Sequence, residues 1–351
     1  MGTLSTPVLI LIFAAGAAAT WIAGVYLSRA TDALDQRLQL GETFGGMLLL
    51  AIAGTLPEVA ITVTAALSGQ LELAAGNLMG GIAIQTAVLA ICDFFVGEDK
   101  PLSYLVGSLI PVLEASMVIA LTSVALLGTL MPATLSVAGV SPASVAMVAI
   151  WLAGMAVLNS VRKNPKWQVI MPGAKPGRHR RHHAHPTAPA PLATAPMAAV
   201  AGVFGAGSIA TLVAGVALTE SGSALADRAG INGIVFGATI LALATALPEI
   251  STGIEAVRMG DHQLAMGDVF GGNAFQMTLF LVADVAAGAP VLSSAGTANS
   301  WLAGLGILVT TVYAAAVVIR PERNHLRLGV DSMIVVALVL VGSILLVLIA
   351  K

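Results

Sequence analysis

Two glutamates stand in surroundings that ordinarily exclude them. Glu58 and Glu249 lie well inside long apolar stretches, each directly after a proline, in the segments Gly54-Thr-Leu-Pro-Glu58 and Thr245-Ala-Leu-Pro-Glu249. An ionisable group at the middle of a membrane-spanning helix costs about 2.5–3.5 kcal/mol on insertion scales, and such groups face the bundle interior and mark ion pathways. One alone is accounted for as a protonated or paired structural residue; two in the same context point to a site. The prolines add ligands. Proline has no N–H and disrupts the bond to the carbonyl four residues back, so Pro57 frees the carbonyl of Ala53 and Pro248 that of Ala244. Unwound backbone at membrane depth is tolerated where it lines a cavity. Carboxylates beside freed carbonyls form an oxygen-only ligand set, suited to hard cations such as Ca2+ or Na+.

The two segments belong to an internal repeat. Gly76-Asn-Leu-Met-Gly-Gly81 resembles Gly267-Asp-Val-Phe-Gly-Gly272, and both motif pairs are separated by the same 191 residues. At that offset Gly69 meets Gly260, Leu73 meets Leu264, Gln85 meets Gln276 and Asp93 meets Asp284, with no gap. Apolar composition matches Leu with Leu by chance, but not Pro-Glu and Gly-Gly at one register. Asn77 and Asp268 are therefore the matched polar positions of the helices after the Pro-Glu segments. The glycines around them, spaced by four, let helices approach closely. That packing is expected to bring Asn77 near Glu58 and Asp268 near Glu249. The candidate cation ligands are Glu58, Glu249, Asp268 and Asn77, with hydroxyl and carbonyl oxygens from Thr55 and Thr245 nearby.

These residues need membrane helices to position them. The chain of 351 residues is 57% hydrophobic and only 10% charged, with mean hydropathy +0.93; a soluble surface of this size needs roughly 25% charge. Disordered chains and ordinary soluble enzymes are excluded. One cysteine, Cys92, excludes an internal disulfide and a cysteine metal site. A span takes about 20 apolar residues, and ten candidates are legible: 6–27, 42–67, 72–95, 103–128, 140–160, 195–219, 230–257, 262–287, 298–318 and 328–350. The first lacks a basic leader and is long enough to span, so it reads as a helix rather than a signal peptide. Residues 161–194 form a basic, His- and Pro-rich linker between a first five-helix repeat (1–160) and a second (195–351). Placing that linker in the cytoplasm puts fourteen of the sixteen basic residues on its side, leaving only Arg228 and Lys351 outside, as the positive-inside rule requires. Both termini are then expected outside, with the protein in the cell (inner) membrane. Five spans is an odd number, so the halves are inverted repeats, a plan of secondary transporters with binding at the midplane.

Other polar residues carry weaker signals. Glu114 has no repeat partner and reads as a proton-titrating group or a paired structural acid. Asp93 and Asp284, toward helix ends, read as interfacial. Gln85 and Gln276 read as bridges between helices or as support for a ligand. His179, His182, His183 and His185 read as part of a solvated basic tract, with transition-metal binding as the alternative; that tract also suits anionic lipid heads. No phosphate-cradling loop accompanies them, so ATP-driven pumping is not indicated.

The two motif pairs resemble those of the cation/Ca2+ exchanger superfamily, particularly its sodium/calcium exchanger branch. The hallmark of that family is two α-repeats, each with a G-T-S-L-P-E-like stretch followed by G-N/D-x-x-G-S-N. The resemblance implies an all-α polytopic membrane protein of about ten helices in two inverted five-helix repeats. It implies that Glu58 and Glu249 coordinate Ca2+ and share Na+ sites, that Asn77 and Asp268 lie at the centre, and that carbonyls of Gly54 and Thr245 contribute. It also implies alternating access, with spans 1 and 6 sliding over the rest. Several hydroxyls of the family pattern are missing here: Leu73 and Leu264 stand where a Na+-ligating serine is common, and Gly81 and Gly272 where the motif has serine. The carboxylates suited to a divalent ion or to protons remain.

The function expected is secondary-active antiport of a cation, Ca2+ against Na+ or H+, or Na+ against H+ on the same fold. The transported ions and the bilayer are the expected partners, with no cofactor, no nucleic acid and no obligatory protein partner. A passive channel differs by conducting without a counter-ion gradient. An intramembrane enzyme needs an acid pair close enough to share a proton and a groove for an organic substrate, and no feature identifies such a substrate.

Overall fold

The computed structural model describes residues 3–38, 54–97, 100–163 and 195–350. Within these the chain is mostly helical. The first half contains α1 (Thr6–Leu38), α2 (Leu56–Leu67), α3 (Leu71–Val96), the single turn α4 (Leu102–Leu105), α5 (Ile110–Thr129) and α6 (Pro142–Lys163). The second contains α7 (Met197–Ala229), α8 (Gly233–Thr245), α9 (Leu247–Arg258), α10 (His262–Ala287), α11 (Thr297–Ile319) and α12 (Val330–Ile349). A two-residue hairpin, β1 (Asn324–His325) with β2 (Leu328–Gly329), leads into α12.

The 191-residue offset now applies to whole helices. α1 and α7, α2 and α9, and α3 and α10 begin and end at equivalent positions. The turns after α2 and α9 are closed alike, by Gly69 at φ +73° and Gly260 at φ +77°, a left-handed conformation that glycine adopts without a Cβ penalty. Gln70 N donates to Ala65 O at 2.8 Å and Asp261 N to Ala256 O at 2.9 Å, closing both helix ends.

Eight described helices are long and apolar enough to cross a membrane, and α8 with α9 forms a ninth span bent by 44°. The bend falls where Pro248 enters the first turn of α9, a position that tolerates its missing N–H. α2 is the apolar C-terminal part of the expected span 42–67; residues 42–53, with the Ala53 carbonyl, lie outside the described residues, as do 164–194 with the four linker histidines. Large apolar side chains point outward along these helices, among them Leu11, Ile209, Ile344 and Leu348. A helix apolar on its outer face requires a nonaqueous surround, and the protein is an integral membrane protein.

Three expectations on the elements are corrected. α1 and α7 extend well past 6–27 and 195–219: each has 33 residues, about 50 Å of helix against a hydrocarbon core of about 30 Å. Their continuations carry small residues that pack, such as Ala30, Ala33 and Ala226. The span expected at 103–128 is not one helix, because Pro111 requires a helix start near Ile110, and the chain before it forms α4 and a short irregular link. Arg162 and Lys163, assigned to the linker, are the last turn of α6.

α3 and α10 form the centre, packed against each other and against α5 and α11. Two repeat-related aspartates fasten this centre to the fifth helix of the opposite half. Asp93 accepts from Leu102 N, Gly329 N and Ser332 Oγ, each at 2.6 Å. Asp284 accepts from Val291 N at 2.7 Å, Ser141 N at 2.9 Å and Ser144 Oγ at 2.7 Å. Asp93 thus holds the start of α12, and Asp284 the start of α6. Both are buried, because a loop folds back over each helix end and supplies the donors.

Candidate functional site

Glu58 and Glu249 are each the third residue of their helix, α2 and α9, and are exposed by only 1% and 8%. Proline at the second position stops the helix from extending backwards, so the carboxylates project at a helix start, where exposed N–H groups favour negative charge. Gln85 Nε2, from α3, donates to Glu58 Oε1 at 3.0 Å. Thr245, the last residue of α8, approaches the same carboxyl group from the other repeat, while its hydroxyl donates to Ala242 O at 3.0 Å. Glu249 lies within electrostatic reach of both Glu58 and Asp268. The cluster therefore draws on both repeats.

Asp268 is half-buried on α10. Its Oδ2 accepts from Thr252 Oγ1 at 2.7 Å, and Thr252 also lies 3.3 Å from Glu249 O, one turn back on α9. Asn77, its repeat mate, is 1% exposed on α3. Both polar atoms of the Asn77 carboxamide are buried without a hydrogen-bond partner among the described residues, as are Glu58 Oε2 and Glu249 Oε2. Unpartnered buried polar atoms are costly, and four of those in this protein belong to three of the candidate ligands. Thr55 is buried at the N-cap of α2, and Gly54, just before it, is partly exposed. Among the described residues no three acidic, His or Cys side chains converge tightly enough to hold an ion by themselves.

The glycines do not pair the helices as expected. A Cβ on Gly80 would lie 2.5 Å from Ala238 of α8, and one on Gly76 3.3 Å from Ile234 of α8. The small face of α3 thus receives the half-helix of the opposite repeat rather than α2. A Cβ on Gly81 would lie 2.3 Å from Gln276 Nε2, and that amide donates to Leu78 O at 2.9 Å and reaches Asn77 O at 3.5 Å. Gln276 bridges α10 to α3, and Gln85 bridges α3 to α2.

Glu114 is fully buried and paired: Arg162 donates to its Oε1 at 2.5 Å. This realises the paired-acid reading, and Arg162 turns inward because a carboxylate one turn into α5 is within reach of its long side chain. The other Glu114 oxygen lies 3.3 Å from where a Cβ of Gly267 would stand, one residue from Asp268. Sequence reasoning missed Thr252 and Arg162. Thr252 had a signal, since its repeat mate is Ile61: a hydroxyl appears in the half that carries Asp268 and a hydrocarbon in the half that carries Asn77.

Comparison with known proteins agrees with this architecture. The sodium/calcium exchanger protein family matches residues 8–158 and 199–351. The protein named "Putative antiporter CaxA" of Alkalimonas amylolytica is 26% identical over 267 residues, 74% of this chain and 75% of its own. The inner membrane protein YrbG of Escherichia coli K12 is 33% identical over 64 residues, 18% of this chain and 20% of its own. Among solved structures, the H+/Ca2+ exchanger CAX superposes with TM-score 0.68 at 15% identity, covering 97% of this chain and 86% of that one. The sodium-calcium exchanger NCX_Mj superposes with TM-score 0.59 at 14% identity, covering 95% and 97%. At such identities the structural matches show the shared fold. The family match over both halves, on a fold with two inverted Pro-Glu half-sites, makes the chain a member of the sodium/calcium exchanger protein family, a cation antiporter of the membrane.

Proposed function

We propose that this antiporter moves Ca2+ against H+ or Na+ through one site in which Glu58, Glu249 and Asp268 are the charged ligands and Asn77, Thr55, Thr245 and the carbonyl of Gly54 complete the oxygen set. The observation that carries the reading is the group of buried, unpartnered atoms of Glu58, Glu249 and Asn77, contributed by both repeats. Three ionised carboxylates carry more negative charge than one divalent cation neutralises, so a second, monovalent species has a place at the same groups. Protons are favoured in that role by a specific feature: Leu73 and Leu264 offer no oxygen to Na+, whereas a carboxylate takes a proton without further ligands. The basic end of the bundle faces the cytoplasm of the inner membrane in this reading, with both termini outside. The transported ions are its only required partners, and no resident cofactor or second protein enters the cycle.

The test is Ca2+ flux in proteoliposomes with the pH and Na+ gradients varied independently. Uptake is expected only against an opposing gradient, and a pH gradient alone is expected to suffice. Glu58→Gln and Glu249→Gln are each expected to slow exchange by at least ~100-fold, since loss of a buried charged ligand costs about 3 kcal/mol or more. Wild-type exchange by both variants overturns the site; flux without any counter-ion gradient overturns antiport.

A further inference from the structure

The two repeats match in sequence across the site, yet their glutamines do different things. Gln85 holds a carboxylate of its own half, Glu58, at 3.0 Å. Its repeat mate Gln276 does not hold Glu249; it crosses to the opposite half and donates to the Leu78 carbonyl at 2.9 Å. That crossing passes over a glycine. A Cβ on Gly81 would stand 2.3 Å from Gln276 Nε2, so any side chain there would displace the amide from its place, and Gly81 is the seat on which it rests.

The repeat supplies a second seat. Gly272 is the mate of Gly81, and Val269 the mate of Leu78. Among the described residues nothing lies within 4 Å of a Cβ placed on Gly272. A glycine inside a helix weakens it relative to alanine, and no neighbour among the described residues accounts for this one. The Oε1 of the seated Gln276 is buried and unpartnered, so the occupied seat satisfies only half of the amide. Alternating access in inverted-repeat carriers is largely a rocking or gating of one repeat against the other around a fixed site, so the contacts that cross between the repeats are the ones that must change.

We propose that Gln85 and Gln276 are positioning residues that trade places between the two faces of the carrier. In the opposite-facing state Gln85 leaves Glu58 for the seat at Gly272 and donates to the Val269 carbonyl. Gln276 leaves the seat at Gly81 and holds Glu249. Each carboxylate is thereby released and clamped in alternation, and the glycines are the switch points. The proposal rests on the reading that Glu58 and Glu249 are the transport carboxylates.

Gly272→Ala is the decisive variant. Its Cβ meets nothing among the described residues, and alanine is the better helix former, so the protein is expected to fold with wild-type or higher thermal stability and to bind Ca2+. Exchange in proteoliposomes is nonetheless expected to fall at least tenfold, because the second seat is blocked. Hydrogen–deuterium exchange is expected to show the first turns of α2 and α9 shifting in opposite directions in Gly272→Ala and Gly81→Ala, since each variant excludes a different state. Should Gly81→Ala fail to fold, the flux of Gly272→Ala decides alone. Wild-type flux by Gly272→Ala, or protection changes of the same sign in the two variants, overturns the exchange of glutamines. The underlying site is judged separately: if Glu58→Gln and Glu249→Gln stop exchange while Gly272→Ala does not, only the glutamine proposal fails, and if the glutamate variants run at the wild-type rate the site itself fails.

Discussion

Gly24 of α1 lies against Pro248 of α9 so closely that a Cβ on the glycine would stand 2.7 Å from the proline Cβ. The same relationship recurs in the other half: a Cβ on Gly215 of α7 would stand 2.5 Å from the Ala60 Cβ and 3.2 Å from the Pro57 carbonyl of α2. Each long helix therefore crosses the Pro-Glu turn of the opposite repeat through a glycine. The long helices also cross each other symmetrically and antiparallel, Gly16 against Leu218 and Gly207 against Leu27. These four glycines form two mated pairs at the 191-residue offset. A smooth glycine surface over both carboxylate turns is what a helix needs in order to move along them without unpacking.

Gly24→Val and Gly215→Val should therefore slow exchange more than they impair ion binding. Each inserts side-chain atoms between a long helix and a Pro-Glu turn, where overpacking costs about 1–3 kcal/mol, or roughly 5–150-fold in a rate if the strain is felt in transit. Ca2+ binding to purified protein and flux in proteoliposomes would be measured side by side. Equal losses in both would mean that the glycines serve only to pack the site.

Protons should compete with Ca2+ at the site. Ligating carboxylates must be ionised, so metal binding releases whatever protons they carry. Apparent affinity for Ca2+ is therefore expected to fall as pH falls, approaching ~10-fold per pH unit for each proton displaced. The sign is fixed by the chemistry: acid stabilises the protonated, empty site, and base the ionised, loaded one. Calorimetric titration across a series of pH values in Na+-free buffer checks this, and a flat profile counts against proton coupling.

The candidate site residues stand out in the sequence because they break composition rules. Glu58, Glu249 and Asp268 are charges in apolar helices, and the repeat doubles their signal. The partners were less legible, since partnership depends on which face of a helix meets which neighbour. Gly76 and Gly80 could be read as small-residue contacts, but their acceptor was α8 of the other half, and no spacing rule specifies that. Asp93 and Asp284 sit at helix ends, where water is the default; their burial follows from loops that fold back with donors nine and seven residues on. Arg162 looked like the start of a solvated tract because its neighbours are polar. The paired glycines of α1 and α7 were within reach: extending the comparison at offset 191 toward the N-terminus aligns Gly16 with Gly207 and Gly24 with Gly215.

Removing either crossing aspartate should unlatch the fifth helix of the opposite half. Asp93→Ala leaves Leu102 N, Gly329 N and Ser332 Oγ without their acceptor, and Asp284→Ala does the same to Val291 N, Ser141 N and Ser144 Oγ. Buried donors left unpaired cost about 1–3 kcal/mol each, so each variant is expected to lose at least ~3 kcal/mol. Because the two clamps are repeat mates with equal numbers of donors, the losses should be similar. Thermal unfolding in detergent measures both, and a large drop for one with none for the other would show that the clamps are not equivalent.

Glu114 and Arg162 pair beside Gly267, and the pair can serve transport or only structure. Their pairing at 2.5 Å, with the Glu114 side chain 1% and the Arg162 side chain 21% exposed, makes the carboxylate dependent on its arginine. Arg162→Met strands a buried negative charge and is expected to destabilise by about 3–5 kcal/mol, whereas a buried pair replaced on both sides by apolar groups of similar size is often neutral. The double variant Glu114→Leu/Arg162→Met should therefore regain most of the stability lost by Arg162→Met, giving a clear coupling term in the double-mutant cycle. If the pair is structural, the double variant also exchanges Ca2+ at a rate within ~3-fold of wild type, the usual margin of context dependence for a silent change. A stable double variant that binds Ca2+ but does not transport it would instead place Glu114 on the ion path.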